Sequence, residues 1–263
     1  MKFGLYWPFR RTPFRPWYRA YKKSRILAEL RAGRFNARRL PEGFGQGIDE
    51  RIVEYTWMFS RLAAHAGKLL DAGSVLNFDY LLEHPLLRSK QIFICTLAPE
   101  QRCFWSTGAS YVYGDLRRTC FRDNYFDWVV SLSTLEHIGM DNTTHYVRGA
   151  RPEKDLHAHL EAVREWRRIL RPGGTLYLSF PFGSYADHGW FQVFNAEMLV
   201  AVIDAFSPAR AEEHHFKWEP SGWQVSSRQG SATARYYDWH RERGYRSDLP
   251  VAAGAVACLE LEK

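Results

Sequence analysis

The sequence predicts an α/β fold, a mostly parallel sheet covered by helices on both faces. Short apolar runs bounded by turn residues alternate with longer segments whose apolar residues recur every three or four positions, the pattern of strands alternating with helices. One run, Phe126–Ser133 (FDWVVSLS), is apolar on both faces, as a central parallel strand must be. The stretch Leu69–Leu82, LLDAGSVLNFDYLL, condenses the alternation: an apolar run closes on Asp71, the turn Ala72-Gly73-Ser74 follows, and Val75, Leu76, Phe78, Leu81 and Leu82 return at helical spacing. Such a turn lies at the carboxyl end of a first strand, where backbone N–H groups can meet a ligand. An ordinary tight connection with a left-handed Gly would read the same way.

Composition sets the frame. With 263 residues and 46% hydrophobic content the chain can bury a full core. No apolar run is long enough for a membrane helix and the N-terminus has no signal-peptide pattern, so a cytoplasmic protein is expected. The four cysteines, Cys95, Cys103, Cys120 and Cys258, sit in or beside apolar stretches without CxxC spacing, which predicts reduced core thiols rather than disulfides or zinc. The net charge of +7 is unevenly spread: residues 1–40 hold twelve Lys or Arg against Glu29 alone, which leaves the rest of the chain mildly acidic. That argues against a uniformly basic nucleic-acid surface and for local docking on something anionic.

Along the chain, residues 1–46 read as a basic aromatic arm and hinge, and residues 47–263 as the folded domain. Phe3, Tyr6, Trp7, Phe9, Phe14, Trp17 and Tyr18 are interleaved with Arg and Lys and broken by Pro8, Pro13 and Pro16, which forbid a continuous helix before about residue 17. Rings beside cations suit an anionic membrane surface, at its inner face, a single-stranded nucleic acid, or an acidic protein partner through residues 1–40; packing of the rings onto the domain is the plain alternative. A short helix with Ile26, Leu27 and Leu30 on one face ends near Gly33, and Pro41, Gly43, Gly45 and Gly47 form a hinge. Ile48, Ile52, Tyr55, Phe59, Leu62, Ala66 and Leu69 predict a helix. Strands are expected at Gln91–Leu97, Tyr111–Gly114, Phe126–Ser133, Thr175–Phe182 and Ala255–Leu261. Helices are expected at Leu156–Leu170, stopped by Pro172-Gly173-Gly174, and at Ala196–Phe206.

Four segments in this order carry a family resemblance: LLDAG at Leu69–Gly73, GDLRRTCFRDNYFDWVVS at Gly114–Ser131, STLEHIG at Ser133–Gly139 and RILRPGGTLYLSFP at Arg168–Pro181. Together they resemble the class I methyltransferases that use S-adenosylmethionine, over the chain from about Asp49 onward. The resemblance implies a Rossmann-like, mostly parallel seven-stranded sheet with S-adenosylmethionine along its carboxyl edge. The cofactor would lie along Asp71, Ala72, Gly73 and Asn77 at the methionine end, Thr96 and Leu97 at the second strand, Asp115 and Leu116 at the adenine, and Ser133 beneath the sulfonium. Two departures stand out. Val75 and Asn77 replace expected glycines, and Thr96 replaces the acid that ends the second strand, with Glu100 as a substitute nearby.

Methyl transfer is an in-line displacement in which the protein aligns the acceptor and excludes water, and a hydroxyl acceptor also needs a base. Glu136 and His137, just past the central strand, are candidates for that role; a packing and capping pair is the alternative. His188 in the loop Gly183–Phe194 is a second candidate, with Trp190 and Gln192 expected to face an acceptor. His157 and His159 point to different faces, so no metal site is expected. The sequence reading is an O-methyltransferase of a sugar, glycan or other small-molecule hydroxyl, similar to methyltransferases of bacterial polysaccharide loci. The rivals are a non-catalytic binding module on the same fold and a nucleic-acid methyltransferase; the acidic domain speaks against the latter.

Overall fold

A computed structural model of the chain describes residues 16–143, 152–238 and 252–263. The tip of the basic aromatic arm, with Phe3, Tyr6, Trp7, Phe9 and Phe14, lies outside the described residues. By contacts the chain divides into two compact units. One comprises Ala63–Phe180, Tyr185–Glu213 and Cys258–Lys263; the other comprises the described residues of Met1–Leu62, Pro181–Ser184 and His214–Ala257.

In the second unit, α1 (Pro16–Ala32) begins where the prolines first permit a helix. Tyr18, Ile26 and Leu30 are buried on its inner face. Tyr18 Oη donates to Asp49 Oδ2 at 2.9 Å and Lys22 Nζ does so at 2.7 Å, which pins α1 just ahead of α2 (Arg51–Arg61). The expected hinge is a packed run of tight turns instead: Phe44 N–H bonds Pro41 O, Gln46 N–H bonds Gly43 O and Ile48 N–H bonds Gly45 O. Gly45 has a positive φ of 61°, and a Cβ there would meet Ile52 Cγ2 at 2.6 Å, so glycine is required by close approach as well as by conformation.

The periodicity of residues 48–69 overstates α2, which ends at Arg61 because Leu62 turns extended (ψ 121°). Beyond it, Lys90 Nζ draws the carbonyls of Ala63 (2.7 Å) and His65 (3.1 Å) out of any helical ladder, and Leu69 enters the first strand.

The strands are β1 (Lys68–Ala72), β2 (Gln91–Thr96), β3 (Ser110–Tyr113), β4 (Phe126–Leu132), β5 (Leu170–Pro181), the short β6 (Ala186–Asp187) and β7 (Gln192–Val193), β8 (Arg210–Glu219), β9 (Gly222–Ser226), the short β10 (Tyr236–Tyr237) and β11 (Ala252–Ala253), and β12 (Ala255–Glu262). The main sheet has eight strands rather than seven, in the order β3-β2-β1-β4-β5-β12-β8-β9. The additional strand is β9, which pairs antiparallel with β8 across the turn after Glu219, whose Pro220-Ser221-Gly222 sequence is the signal that reading missed. β3, β2, β1, β4 and β5 run parallel. β12 is antiparallel to β5, since Gly173 N–H bonds Lys263 O and Lys263 N–H bonds Gly174 O.

Flanking helices complete a Rossmann-like fold: α3 (Asp79–Leu82), α4 (Pro85–Arg88), α5 (His159–Ile169), α6 (Ala196–Phe206) and α7 (Arg228–Ser231). Trp166 and Ile169 of α5 and Leu199, Val202 and Phe206 of α6 are fully buried. Pro172-Gly173-Gly174 lies inside β5 instead of ending α5, with a register shift opposite Phe126/Trp128 absorbing it. Among the described residues no helix is long and apolar enough to cross a membrane and no cluster could hold a metal ion. Cys95 and Cys258 are buried free thiols as expected, whereas Cys103 and Cys120 are exposed. Burial pushes the Cys95 thiol up to about 12.

Candidate active site

Register brings the carboxyl ends of four parallel strands to one edge. Asp71 lies level with Ile94 of β2 and Val130 of β4, and beyond the strands Gly73 N–H bonds Cys95 O, Gly114 N–H bonds Thr96 O and Ser133 N–H bonds Ser179 O. Two non-glycine residues here, Ser74 (φ 62°) and Ser133 (φ 41°), hold left-handed backbone, a conformation that persists only where its surroundings enforce it.

The turn after β1 differs from the strand, turn and helix expected of Leu69–Leu82, where the spacing is helical from Val75 onward. Asp71 is fully buried, and its carboxylate accepts the N–H groups of Val75 (3.0 Å) and Leu76 (2.8 Å). Those amides would have been the helix start and a ligand's donors; with Asp71 holding them, helix begins only at Asp79 and lasts one turn. Asp71 thus shapes the loop. Gly73 (φ 119°) is pressed against the segment after β4, where a Cβ would come within 2.2 Å of Thr134 Oγ1.

Asn77 is buried, and each end of its amide is engaged. Nδ2 donates to Glu100 Oε2 at 3.0 Å and to Arg102 O at 3.1 Å, while Oδ1 accepts from Tyr111 Oη at 2.8 Å. Tyr111 Oη in turn accepts the Phe104 N–H at 2.7 Å. Thr96 closes β2 and Leu97 is exposed. Asp115 follows β3 as expected, but both its oxygens are engaged by Arg117: Nε to Oδ1 at 3.0 Å and Nη2 to Oδ2 at 2.7 Å. Arg117 also pairs with Glu153. Burial alone would raise the Asp115 carboxyl, but these bonds outweigh it and hold it below its ordinary range. Leu116 is buried beside it.

Past β4, Leu135–His137 forms a single 3₁₀ turn. Glu136 is buried and its Oε1 lies 4.0 Å from His137 Nε2. His137 Nδ1 lies 3.0 Å from Trp190 O. A carbonyl oxygen only accepts, so Nδ1 carries a proton, and in the neutral ring the lone pair is on Nε2. The ring packs on Trp190 (centroids 5.0 Å) and Phe191 (5.8 Å). His188 stacks flat on Phe191 at 4.4 Å. Gln192 does not face the edge as expected: it is fully buried, with Nε2 donating to Leu156 O at 3.1 Å. His157 is exposed and His159 buried, pushed down to about 4 by burial, so the pair is divided as its spacing required.

Sequence reasoning missed Arg117, Thr134, Tyr111 and Ser74. Arg117 could have been found from the Asp-x-Arg spacing; the others act through contacts made only on folding.

Residues 72–178, less than half of the chain, match the family profile of a methyltransferase domain. Solved structures similar in fold include phosphoethanolamine N-methyltransferase 2 of Haemonchus contortus in complex with phosphomonomethylethanolamine and S-adenosylhomocysteine, at 14% identity, 65% of this chain, 39% of that one and a TM-score of 0.45. The CurJ carbon methyltransferase is similar at 11%, 80%, 53% and 0.44. The 1,6-didemethyltoxoflavin-N1-methyltransferase of Burkholderia thailandensis, with bound 1,6-didemethyltoxoflavin and S-adenosylhomocysteine, is similar at 14%, 94%, 89% and 0.47. The chain spans less than two thirds of the first two of these proteins. No curated protein sequence matches it.

Residues 72–178 thus match a methyltransferase-domain profile, and two of the similar structures hold S-adenosylhomocysteine, the demethylated form of S-adenosylmethionine. The edge fits such a ligand in one respect: Ser74 Oγ, just past β1, and Ser131 Oγ, on β4, are buried without a hydrogen-bond partner among the described residues. A carboxylate and a ribose diol supply the partners that buried hydroxyls require.

Proposed function

We propose that the protein transfers the methyl group of S-adenosylmethionine to a hydroxyl of a small molecule, a sugar or glycan intermediate of polysaccharide biosynthesis. The observation that carries the hydroxyl is the tautomer of His137. Its Nδ1–H is held by the Trp190 carbonyl, leaving Nε2 as the basic nitrogen beside the strand that would pass beneath the sulfonium. An amine acceptor attacks with its own lone pair; a hydroxyl must lose a proton as the new bond forms. In this reading Asp71, Ala72, Gly73 and Asn77 shape the methionine pocket, with Thr96, Leu97 and Glu100 at the ribose, Asp115 and Leu116 at the adenine, and Ser133 at the sulfonium. Glu136, its Oε1 4.0 Å from His137 Nε2, stabilises the positive charge His137 gains with the proton, and His188 lines the acceptor side. S-adenosylmethionine supplies the electrophilic methyl; the chain's residues align the acceptor and take its proton.

The test is transfer of labelled methyl from S-adenosylmethionine to panels of hydroxyl and amine acceptors. Label appearing on sugar hydroxyls supports the reading, and label confined to amines overturns it.

In the same reading, residues 1–46 are a docking arm on residues 47–263, and the enzyme works at the cytoplasmic face of an anionic membrane or on an acidic protein. Flotation with anionic liposomes compares the full chain with one carrying Arg10→Gln, Arg11→Gln and Arg15→Gln. Equal flotation of both removes the membrane.

A further inference from the structure

The opposite, N-terminal edge of the parallel strands carries a feature that methyl transfer does not use. A groove of about 300 Å³ opens between the turn Asp123-Asn124, the last turns of α5, Ala205 on α6 and the end of β12. Arg164, Arg167, Arg168 and Lys263 line it against one acid, Asp123.

These four cations are differently committed. Arg168 is fully engaged, with Glu165 Oε1 and Phe121 O at 2.7 Å and Asp123 beside it. Lys263 Nζ caps the end of α5, donating to Leu170 O at 2.7 Å and to Asn124 Oδ1 at 2.8 Å. Arg164 is exposed, with no hydrogen bond or ion pair among the described residues. Among the described residues Arg167 reaches only Ser207 O, at 3.5 Å, the outer limit of a hydrogen bond.

Positions 164, 167 and 168 are spaced three and four apart, so the guanidinium groups share one stripe of the helix, where like charges oppose each other. The helix dipole favours cations at this end, but Lys263 already satisfies the terminal carbonyls. The field is unbalanced enough to act on that lysine: burial first, and then the Arg167 charge, lower the proton affinity of its ammonium, with Asp123 only partly offsetting them.

We propose that this groove is an anion site for a compact phosphate group, either inorganic phosphate or pyrophosphate or the phosphate of a small metabolite, held chiefly by Arg164 and Arg167. Two guanidinium forks without carboxylate partners match a tetrahedral oxyanion, which accepts paired N–H donors. No aromatic ring lines the groove, so a base has nothing to stack on and the phosphate itself is what is recognised. The proposal stands independently of the methyl acceptor.

Calorimetry on the full chain with phosphate, pyrophosphate and AMP tests it. Pyrophosphate should bind, more tightly than phosphate, and AMP no better than phosphate. Arg164→Gln with Arg167→Gln, both at the surface, should weaken pyrophosphate by about tenfold or more while S-adenosylhomocysteine binding is unchanged. Should that double variant fold poorly, Asp123→Asn keeps the question decidable. It removes the one competing acid and should tighten pyrophosphate by about threefold or more. No binding to the wild type, equal binding to the double variant, weaker binding to Asp123→Asn, or a preference for AMP over pyrophosphate would each overturn the proposal. The label-transfer assay is untouched by any of these outcomes, so the two proposals fail separately.

Discussion

The Asn77 side-chain amide donates to Glu100 Oε2 at 3.0 Å. Asn77 stands in place of a glycine after β1, Glu100 is the nearby substitute for the acid that Thr96 replaces at the end of β2, and the two meet. Asn77 is buried and Glu100 exposed, so the amide fixes a carboxylate that would otherwise range through solvent. Asn77→Ala should therefore weaken S-adenosylhomocysteine by about tenfold, the worth of a hydrogen bond to a charged group. Glu100→Gln should weaken it similarly, and the double variant little more than either single one. Calorimetry that finds both variants at wild-type affinity would remove Glu100 from the ribose site.

Gly73 should tolerate no side chain. A Cβ at φ 119° would lie 2.2 Å from Thr134 Oγ1 and 2.4 Å from its Cγ2. Gly73→Ala is expected to lower stability by about 2–4 kcal/mol through strain and overpacking. Thr134→Ala removes the two nearest atoms and should restore part of the loss. Thermal melts of the two single variants and the double measure the coupling; additivity would mean that the clash is relieved some other way.

If His137 accepts the acceptor's proton, His137→Ala should lower kcat on a hydroxyl substrate by about 10²–10⁴-fold with S-adenosylhomocysteine affinity unchanged. His188→Ala should act mainly on the KM of the acceptor. Unaltered kcat for His137→Ala would return the Glu136-His137 pair to a packing role.

Stability should fall as the medium turns alkaline. Glu50, next to Asp49 and Glu54, has its Oε2 buried without a hydrogen-bond partner among the described residues, and burial first, then the Asp49 charge, push its carboxyl from 4.5 up to about 8. A carboxyl raised in the folded state holds its proton more tightly there than in the unfolded chain. Its favourable contribution is present below about pH 4.5 and is lost as pH rises towards about 8. Glu50→Gln should therefore melt higher than wild type at pH 8.5 and nearly with it at pH 5. A constant difference at both values would show that Glu50 is not the titrating group.

The architecture was largely legible because hydrophobic periodicity records burial directly. α6 was expected at Ala196–Phe206 and lies there, and the parallel strands β1 to β4 fall within a residue or two of their apolar runs. The turn after β1 was legible as a turn but not as a long loop. Val75 and Leu76 have helical spacing, and nothing in that spacing reveals that the Asp71 carboxylate takes their amides. Asp115 was readable as an acid at the right place, while the grip of Arg117 on both its oxygens depends on a rotamer. Gln192 looked polar and therefore available, yet it is fully buried with its amide turned to Leu156.

Lys90 carries a consequence for how the chain is divided into parts. Its ammonium is drawn from solvent, lies over the Trp128 ring at 4.6 Å and collects the carbonyls of Ala63 and His65. A peptide of residues 48–69 cut from the protein would keep every apolar residue of the helical stripe and lose that clamp. Its circular dichroism in a helix-promoting solvent should report winding past Arg61. The boundary between helix and strand is written some twenty-five residues downstream, and the segment acquires it only once β2 has found its neighbours.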